Sequence, residues 1–259
     1  MKIALFLDVD KTLTREFIQQ EYAVKLACEK EYKKIEDAFQ QNAAQLDYSS
    51  TFGEKIVELF KQNKFRRDQA RSFATEVRVY DWTPQLLRLP GVDVYLVSSG
   101  PNYYVEYLAE KYNIPHDRIC CSIYEFDDQT AVIQKCTFPV DKFEKAKFVA
   151  KRKDKYDLTI GVGDSPEHDG LFLNHCTIQL MTRPSPDKPI RDYIYIPDLN
   201  SVIRLVEGLS QSLVSVDVEQ GPLWPKLRTL TFAGWGIVVG TLLAFLTIGL
   251  AIGEELGKR

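Results

Sequence analysis

The chain has 259 residues, 27% of them charged, with a formal net charge of -3. That near balance excludes the overall basic field of a nucleic-acid-binding protein and the acidic tail that attracts a basic partner. The length suffices for one large domain with a smaller appendage and a substantial core. In chain order, the first predicted element is an apolar strand over Lys2–Leu7 that runs straight into Asp8-Val9-Asp10-Lys11-Thr12-Leu13. A strand repeats with period two, so Asp8 and Asp10 can project toward the same side and share one reacting group. From about Glu16 to Trp82 the apolar spacing is helical, as in Ile56, Leu59 and Phe60, which predicts a helical insert after the first strand. Further strands are predicted at Val92–Val97, Leu158–Val162, Thr177–Leu180 and Tyr193–Ile196, with helical patterns between most of them. Such alternation predicts a parallel sheet covered on both faces. Residues Ile119 to Thr137 carry two apolar runs around Asp127-Asp128 and read as a hairpin, a small excursion from that sheet.

The C-terminal part differs in kind. Residues 211–228 include Gly221, Pro222 and Pro225 and read as a linker. From Thr229 to Gly253 no residue is charged, and at ~1.5 Å per residue a helix of that length reaches roughly 37 Å, enough to span a bilayer with some tilt. Trp224, Lys226 and Arg228 stand where interfacial anchors would, and residues 254–259 form a short tail. Gly236, Gly240 and Ala244 recur every fourth residue, a spacing that permits a homodimer through the membrane helix. The N-terminal run is cut short by Asp8 and lacks a signal-peptide cleavage site, and the five cysteines show no CxxC pair. The expectation is a single-pass membrane protein with free thiols and its catalytic domain in the cytosol.

Three further signals carry chemistry. The second strand ends in Ser98-Ser99-Gly100, a hydroxyl followed by an amide-rich turn of the kind that binds phosphate oxygens. The strand ending at Gly163 delivers Asp164 and, five residues on, Asp169. Between them lies Glu144-Lys145-Ala146-Lys147, an ammonium group at the start of a helix, with Lys142 close by. In open parallel sheets ligands bind beyond the carboxyl ends of the strands, so these loops can converge on one crevice. Carboxylates there suit Mg²⁺, a hard ion that prefers oxygen ligands, and acids, metal, lysine and serine together suit phosphoryl transfer.

The four motifs, Asp8-Val9-Asp10-Lys11-Thr12-Leu13, the serine after the second strand, the lysine, and Gly163-Asp164 with Asp169, resemble those of the haloacid dehalogenase superfamily. The helical insert and the Val97-Ser98-Ser99-Gly100 turn are most similar to its phosphoserine-phosphatase-like branch. Singly each motif arises by chance, but four in this order, each behind an apolar strand or opening a helix, are specific. The resemblance implies an α/β fold, a Rossmann-like doubly wound parallel sheet with a helical cap inserted after strand 1. Residues 1–210 form that domain, with core 1–14 and 85–210 and cap about 15–84, followed by the linker and the transmembrane helix.

It also implies roles. Asp8 would be the nucleophile that forms an aspartyl-phosphate, and Asp10 the acid and later the base. Mg²⁺ would be held by Asp8, the backbone carbonyl of Asp10, and Asp164, with Asp169 supporting them. Thr12, Ser98, Ser99, Gly100 and a lysine would bind the phosphoryl group; Lys145 fits the pattern best, with Lys147 and Lys142 as alternatives. The expected reaction is hydrolysis of a small phosphorylated metabolite. The alternatives are a phosphorylated lipid head group as substrate, transfer to an alcohol instead of water, and a catalytically silent membrane-anchored interaction protein. The cap departs from the phosphoserine pattern: Glu16 comes one residue early for the amino group, and Lys55 stands where an arginine would grip the carboxylate. His168 is read as a surface histidine or one that supports the site from behind rather than a catalytic one, and Tyr103, Tyr104 and Tyr107 as packing rather than a stacking platform.

Overall fold

Residues 1–42, 48–182 and 193–219 are described by the computed structural model. The first strand, β1 (Ile3–Leu7), is buried at all five positions, so both of its faces are covered, as its unbroken apolar sequence requires. The insert follows as helices α1 (Ile18–Lys25), α2 (Glu29–Asn42), α3 (Tyr48–Gln62) and α4 (Arg67–Glu76), and the short α5 (Thr83–Leu86) leads back to the core. The core continues with β2 (Val92–Pro101), α6 (Asn102–Tyr112), β3 (Ile119–Phe126), β4 (Ile133–Phe138), α7 (Lys142–Lys153), β5 (Leu158–Gly163), α8 (Pro166–Leu173), β6 (Ile178–Met181), β7 (Ile194–Tyr195) and α9 (Asn200–Glu219).

The seven strands are ordered β4-β3-β2-β1-β5-β6-β7 and are parallel except for the β3–β4 pair. β1 lies between β2 and β5, with Leu7 level with Leu96 on one side and Val162 on the other. The strand order reverses at β1, which is where a doubly wound sheet opens a crevice at its carboxyl end. Phe6, Tyr95, Val97, Val149 and Phe172 pack into one buried cluster of core side chains.

The two crossings between core and cap run side by side. Thr14 bridges Val79 in antiparallel fashion, the Arg15 amide donates to the Arg78 carbonyl at 3.0 Å and the Tyr80 amide to the Leu13 carbonyl at 3.0 Å. The buried Thr83 hydroxyl donates to the same Leu13 carbonyl at 2.8 Å and fixes the start of α5 to the loop after β1.

The expected hairpin is present as the antiparallel β3–β4 pair, but its place in the sheet differs. β3 is no excursion: Leu96 and Val97 of β2 pair in parallel with Ile119 and Cys120, so β3 belongs to the sheet and only β4 returns antiparallel. The reason is that Cys120, Cys121 and Tyr124 are buried, a second apolar face that a free hairpin would not need. α9 also runs to Glu219, into the stretch read as a linker; the first glycine or proline of that stretch is Gly221, so nothing before it breaks a helix. Packing divides the chain into units 1–205 and 206–259. The predicted transmembrane helix at 229–253 lies outside the described residues, and among the described residues no helix is long and apolar enough to cross a membrane. All five cysteines are free.

Candidate active site

The carboxyl ends of β1, β2 and β5 present the predicted residues together. The Asp8 amide still pairs with the Val162 carbonyl at 2.9 Å, so the strand geometry holds through Asp8. The chain then turns sharply: the Val9 carbonyl accepts from the amides of Leu13 at 2.9 Å and Thr14 at 3.1 Å, and Lys11 takes φ 59°, a strained conformation for a residue with a Cβ. The turn brings the buried Thr12 hydroxyl back to donate to Asp8 Oδ2 at 2.9 Å. Thr12, expected at the phosphate, therefore holds the Asp8 carboxylate.

Of the three candidate lysines, Lys145 is the one whose ammonium lies against Asp8. Asp141 caps α7, its carboxylate accepting from the amides of Phe143 and Glu144 at 2.8 Å each, which sets Lys145 one turn inside the helix and only 3% exposed. Its ammonium bonds Asp8 Oδ1 at 2.7 Å and Asp169 Oδ1 at 2.9 Å. Lys147 instead pairs with Glu144 at 2.6 Å on the surface, and Lys142 lies over the ring of Phe143. Burial works against the charge of Lys145, but the Asp169 and Asp8 carboxylates outweigh it and hold the ammonium protonated.

Asp169 is buried at the N-terminal turn of α8, where its Oδ2 accepts from the amides of Asp164 and Ser165 at 3.1 Å each. Gly163 makes this possible, since a Cβ there would sit 2.6 Å from that oxygen. One carboxylate oxygen from each of Asp8, Asp164 and Asp169 lies within 4.8 Å of the others. Burial and the neighbouring Asp169 push Asp8 well above the usual carboxylate range, against the pull of Lys145. Three crowded oxygen donors with one cation among them fit a hard divalent ion such as Mg²⁺, which would relieve the repulsion that remains.

Asp10 stands apart from that trio. Its Oδ1 accepts the Ile18 amide at 2.8 Å, the first residue of α1, and Ser98 Oγ lies 3.4 Å from its Oδ2. Burial raises Asp10 above the usual carboxylate range, offset in part by the Ile18 bond and by Lys145. A Cβ at Gly100 would meet Asp10 Oδ2 at 2.6 Å, so only glycine allows the turn to lie against this carboxylate. The Gly100 amide donates to Ser98 Oγ at 2.8 Å, and Ser99 is exposed, its carbonyl accepting from Ser122.

The cap residues implied for a phosphoserine site do not converge here. Glu16 pairs with Arg78 at 3.5 Å and Lys55 is exposed on α3. The residues beside Asp10 are ones whose sequence spacing reads as packing or carries no signal. Gln19, next to Ile18, donates to the Tyr124 hydroxyl at 2.8 Å, and Tyr103 lies in ring contact with Tyr22, Phe65, Tyr124 and Phe126. Only the aromatic spacing of Tyr103 and Tyr104 signalled this region in the sequence, and spacing alone does not separate a core from a chamber.

Similarity to known proteins agrees with this geometry. No curated protein sequence matches the chain. Among solved structures, a phosphoserine phosphatase captured as a phospho-aspartyl intermediate analogue aligns with a TM-score of 0.62 at 19% identity, over 79% of this chain and 98% of its own. A substrate-bound phosphoserine phosphatase aligns with a TM-score of 0.62 at 18% identity, over 79% of this chain and 98% of its own. A family hydrolase from Salmonella enterica serovar Typhi aligns with a TM-score of 0.62 at 17% identity, over 75% of this chain and 67% of its own. At these identities the likeness establishes the fold. The family profile matches residues 5–170, most of the described core and the whole cap, and the chain belongs to the haloacid dehalogenase-like hydrolases.

Proposed function

We propose that the protein is a Mg²⁺-dependent phosphomonoester hydrolase working through an aspartyl-phosphate on Asp8. The observation that carries this reading is the convergence of Asp8, Asp10, Ser98, Lys145, Asp164 and Asp169 at the ends of three adjacent parallel strands. Asp8 attacks phosphorus, the bond to the leaving oxygen breaks, and Asp10 gives that oxygen its proton. Asp10, now a carboxylate, takes a proton from the water that attacks the phosphoaspartate, which releases inorganic phosphate and restores both residues. Lys145 and Ser98 hold phosphoryl oxygens, and Thr12 keeps the Asp8 carboxylate aimed. The side chains of Asp8 and Asp164 and the backbone carbonyl of Asp10, with Asp169 in support, would hold Mg²⁺, which would neutralise phosphoryl charge.

The raised proton affinity of Asp10 suits this cycle, because the first step needs it protonated near neutral pH. With every acid in place and engaged, a catalytically silent role has no observation in its favour. The test is hydrolysis of an aryl phosphate by the full-length protein, with Mg²⁺ and with chelator, beside Asp8→Asn. Turnover should require the metal and fall to background in the variant; turnover that survives Asp8→Asn would refute the phosphoaspartate. We also propose that residues 229–253 anchor the chain in a membrane with the hydrolase domain on the cytosolic side, a reading supported by the uncharged 25-residue sequence and its flanking Trp224, Lys226 and Arg228.

A further inference from the structure

Two buried hydroxyls, those of Tyr103 and Tyr195, have no hydrogen-bond partner among the described residues. A buried hydroxyl left unpaired costs about 1–3 kcal/mol, so each calls for an explanation. Tyr195 is on β7 at the far edge of the sheet, whereas Tyr103 is the second residue of α6, just behind the Ser98-Ser99-Gly100 turn. Its ring is stacked on Tyr22 of the cap at 5.2 Å between centroids and meets Tyr124 of the core edge-on at 5.9 Å. It thus stands at the junction of cap and core.

Asp10 is the proposed proton donor to the leaving oxygen, so the leaving group must lie beside Asp10, between the core and α1. The other polar groups of that region are engaged. The Ile18 amide is bonded to Asp10, Gln19 donates to Tyr124, the Tyr124 amide donates to Asn102 Oδ1 at 2.9 Å, and the Tyr22 hydroxyl donates to the Ala70 carbonyl at 3.1 Å. Burial above all, then the neighbouring Tyr22, Tyr124 and Tyr32 and last the Asp10 carboxylate, raise the Tyr103 hydroxyl well above its ordinary value, so the group is present as a neutral donor. These groups are uncharged; of the charged residues at this junction, Glu16 pairs with Arg78, Lys55 is exposed, and Lys11, whose charge acts on both Asp10 and Glu36, lies over the Phe17 ring.

We propose that the Tyr103 hydroxyl is a specificity-determining group that hydrogen-bonds the leaving group of the substrate, and that this leaving group is uncharged and carries an oxygen acceptor besides the ester oxygen. The inference rests on the phosphomonoesterase reading above and narrows its substrate class. An aromatic surround with one free donor rewards an uncharged, partly apolar body over a charged one.

The experiment compares wild-type full-length protein and Tyr103→Phe on phenyl phosphate, 3-hydroxyphenyl phosphate, 4-hydroxyphenyl phosphate, glycerol 3-phosphate and O-phosphoserine, with a thermal melt of each protein. Wild type should prefer one of the three substrates with a hydroxylated, uncharged leaving group to O-phosphoserine. Tyr103→Phe should lower kcat/KM for that substrate by about 10-fold or more, leave phenyl phosphate within about twofold, and melt no lower than wild type. An equal loss on every substrate, a lower melting temperature, or a wild-type preference for O-phosphoserine would overturn the inference while leaving the phosphatase standing. Wild type indistinguishable from Asp8→Asn on the whole panel would instead remove the underlying reading, and this inference with it.

Discussion

At the scale of single residues, the site is a problem of keeping like charges together out of water. Asp8 and Asp169 share the Lys145 ammonium, and Asp169 also takes two backbone amides, so three buried ionisable groups offset much of one another's desolvation. Asp10 has no such cation in contact; its bonds are one amide and a long approach from Ser98. Its folded proton affinity is raised, mainly by burial. A carboxyl whose folded-state value lies above its unfolded value of 3.8 contributes stability that is fully present below that value and lost as pH rises through the folded one. Asp10→Asn imitates the protonated form at every pH and can still accept the Ile18 amide. In metal-free protein the variant should therefore melt higher than wild type at pH 8, by a margin that narrows as pH falls toward 5, while hydrolysis drops about 10²–10⁴-fold. A margin that stays constant with pH would show that Asp10 is not the strained carboxyl. The trio of carboxylates, the serine and the lysine were legible in sequence because their residue types and order carry the chemistry. Thr12 as a support for Asp8, and Gly163 as the space for Asp169, depend on distances of a few ångströms that no spacing encodes.

At the scale of elements, the strands were legible where they are fully apolar, and β1, β2 and β5 fall within a few residues of their predicted bounds. β3 was harder because its role is split. Its first half pairs in parallel with β2, and its second half carries β4 out to the cap. There the Ile133 amide donates to the Phe65 carbonyl and the Arg67 amide to the Ala131 carbonyl, at 2.9 Å each, while Gly53 of α3 allows the backbone to approach Cys136, whose Sγ would lie 3.3 Å from a Cβ. The cap is thus fixed at two places, its paired crossings at Thr14 and Val79 and this hairpin. The turn of the hairpin is held by Asp127, which accepts from the amides of Gln129 and Thr130 at 3.0 and 2.7 Å. Ala131 follows at φ 58°, a left-handed conformation that costs a residue with a Cβ about 1–2 kcal/mol. Glycine there relieves the strain but adds backbone freedom to the unfolded chain, which costs roughly 0.5–1 kcal/mol. Ala131→Gly should therefore leave stability unchanged or raise it by up to about 1 kcal/mol in denaturant melts. A clear loss would mean that the turn is not strained at this residue.

At the scale of the whole chain, two kinds of sequence signal must be reconciled. Residues 5–170 carry the family profile and a core with buried strands, whereas residues 229–253 carry no charge and lie outside the described residues. The first signal is one of order and chemistry, and folding brings its parts together across more than 130 residues, as between Asp8 and Lys145. The second is one of composition alone, so its physical test is solvent preference rather than packing. Across a hydrocarbon thickness of about 30 Å a helix needs ~20 apolar residues, and a charge at its centre costs roughly 2.5–3.5 kcal/mol. Leu242 and Leu246 stand one turn apart near the middle of the run. If the proposed anchor is correct, full-length protein should float with phosphatidylcholine vesicles on a density gradient and resist extraction by alkaline carbonate. Leu242→Arg combined with Leu246→Arg should add roughly 5–7 kcal/mol to insertion and leave the protein at the bottom of the gradient. Aryl phosphate turnover by the released variant should match wild type, because residues 5–170 hold every group of the proposed chemistry. Wild-type protein that fails to float would remove the anchor, and a doubly charged variant that floats equally well would place the membrane contact elsewhere in the chain.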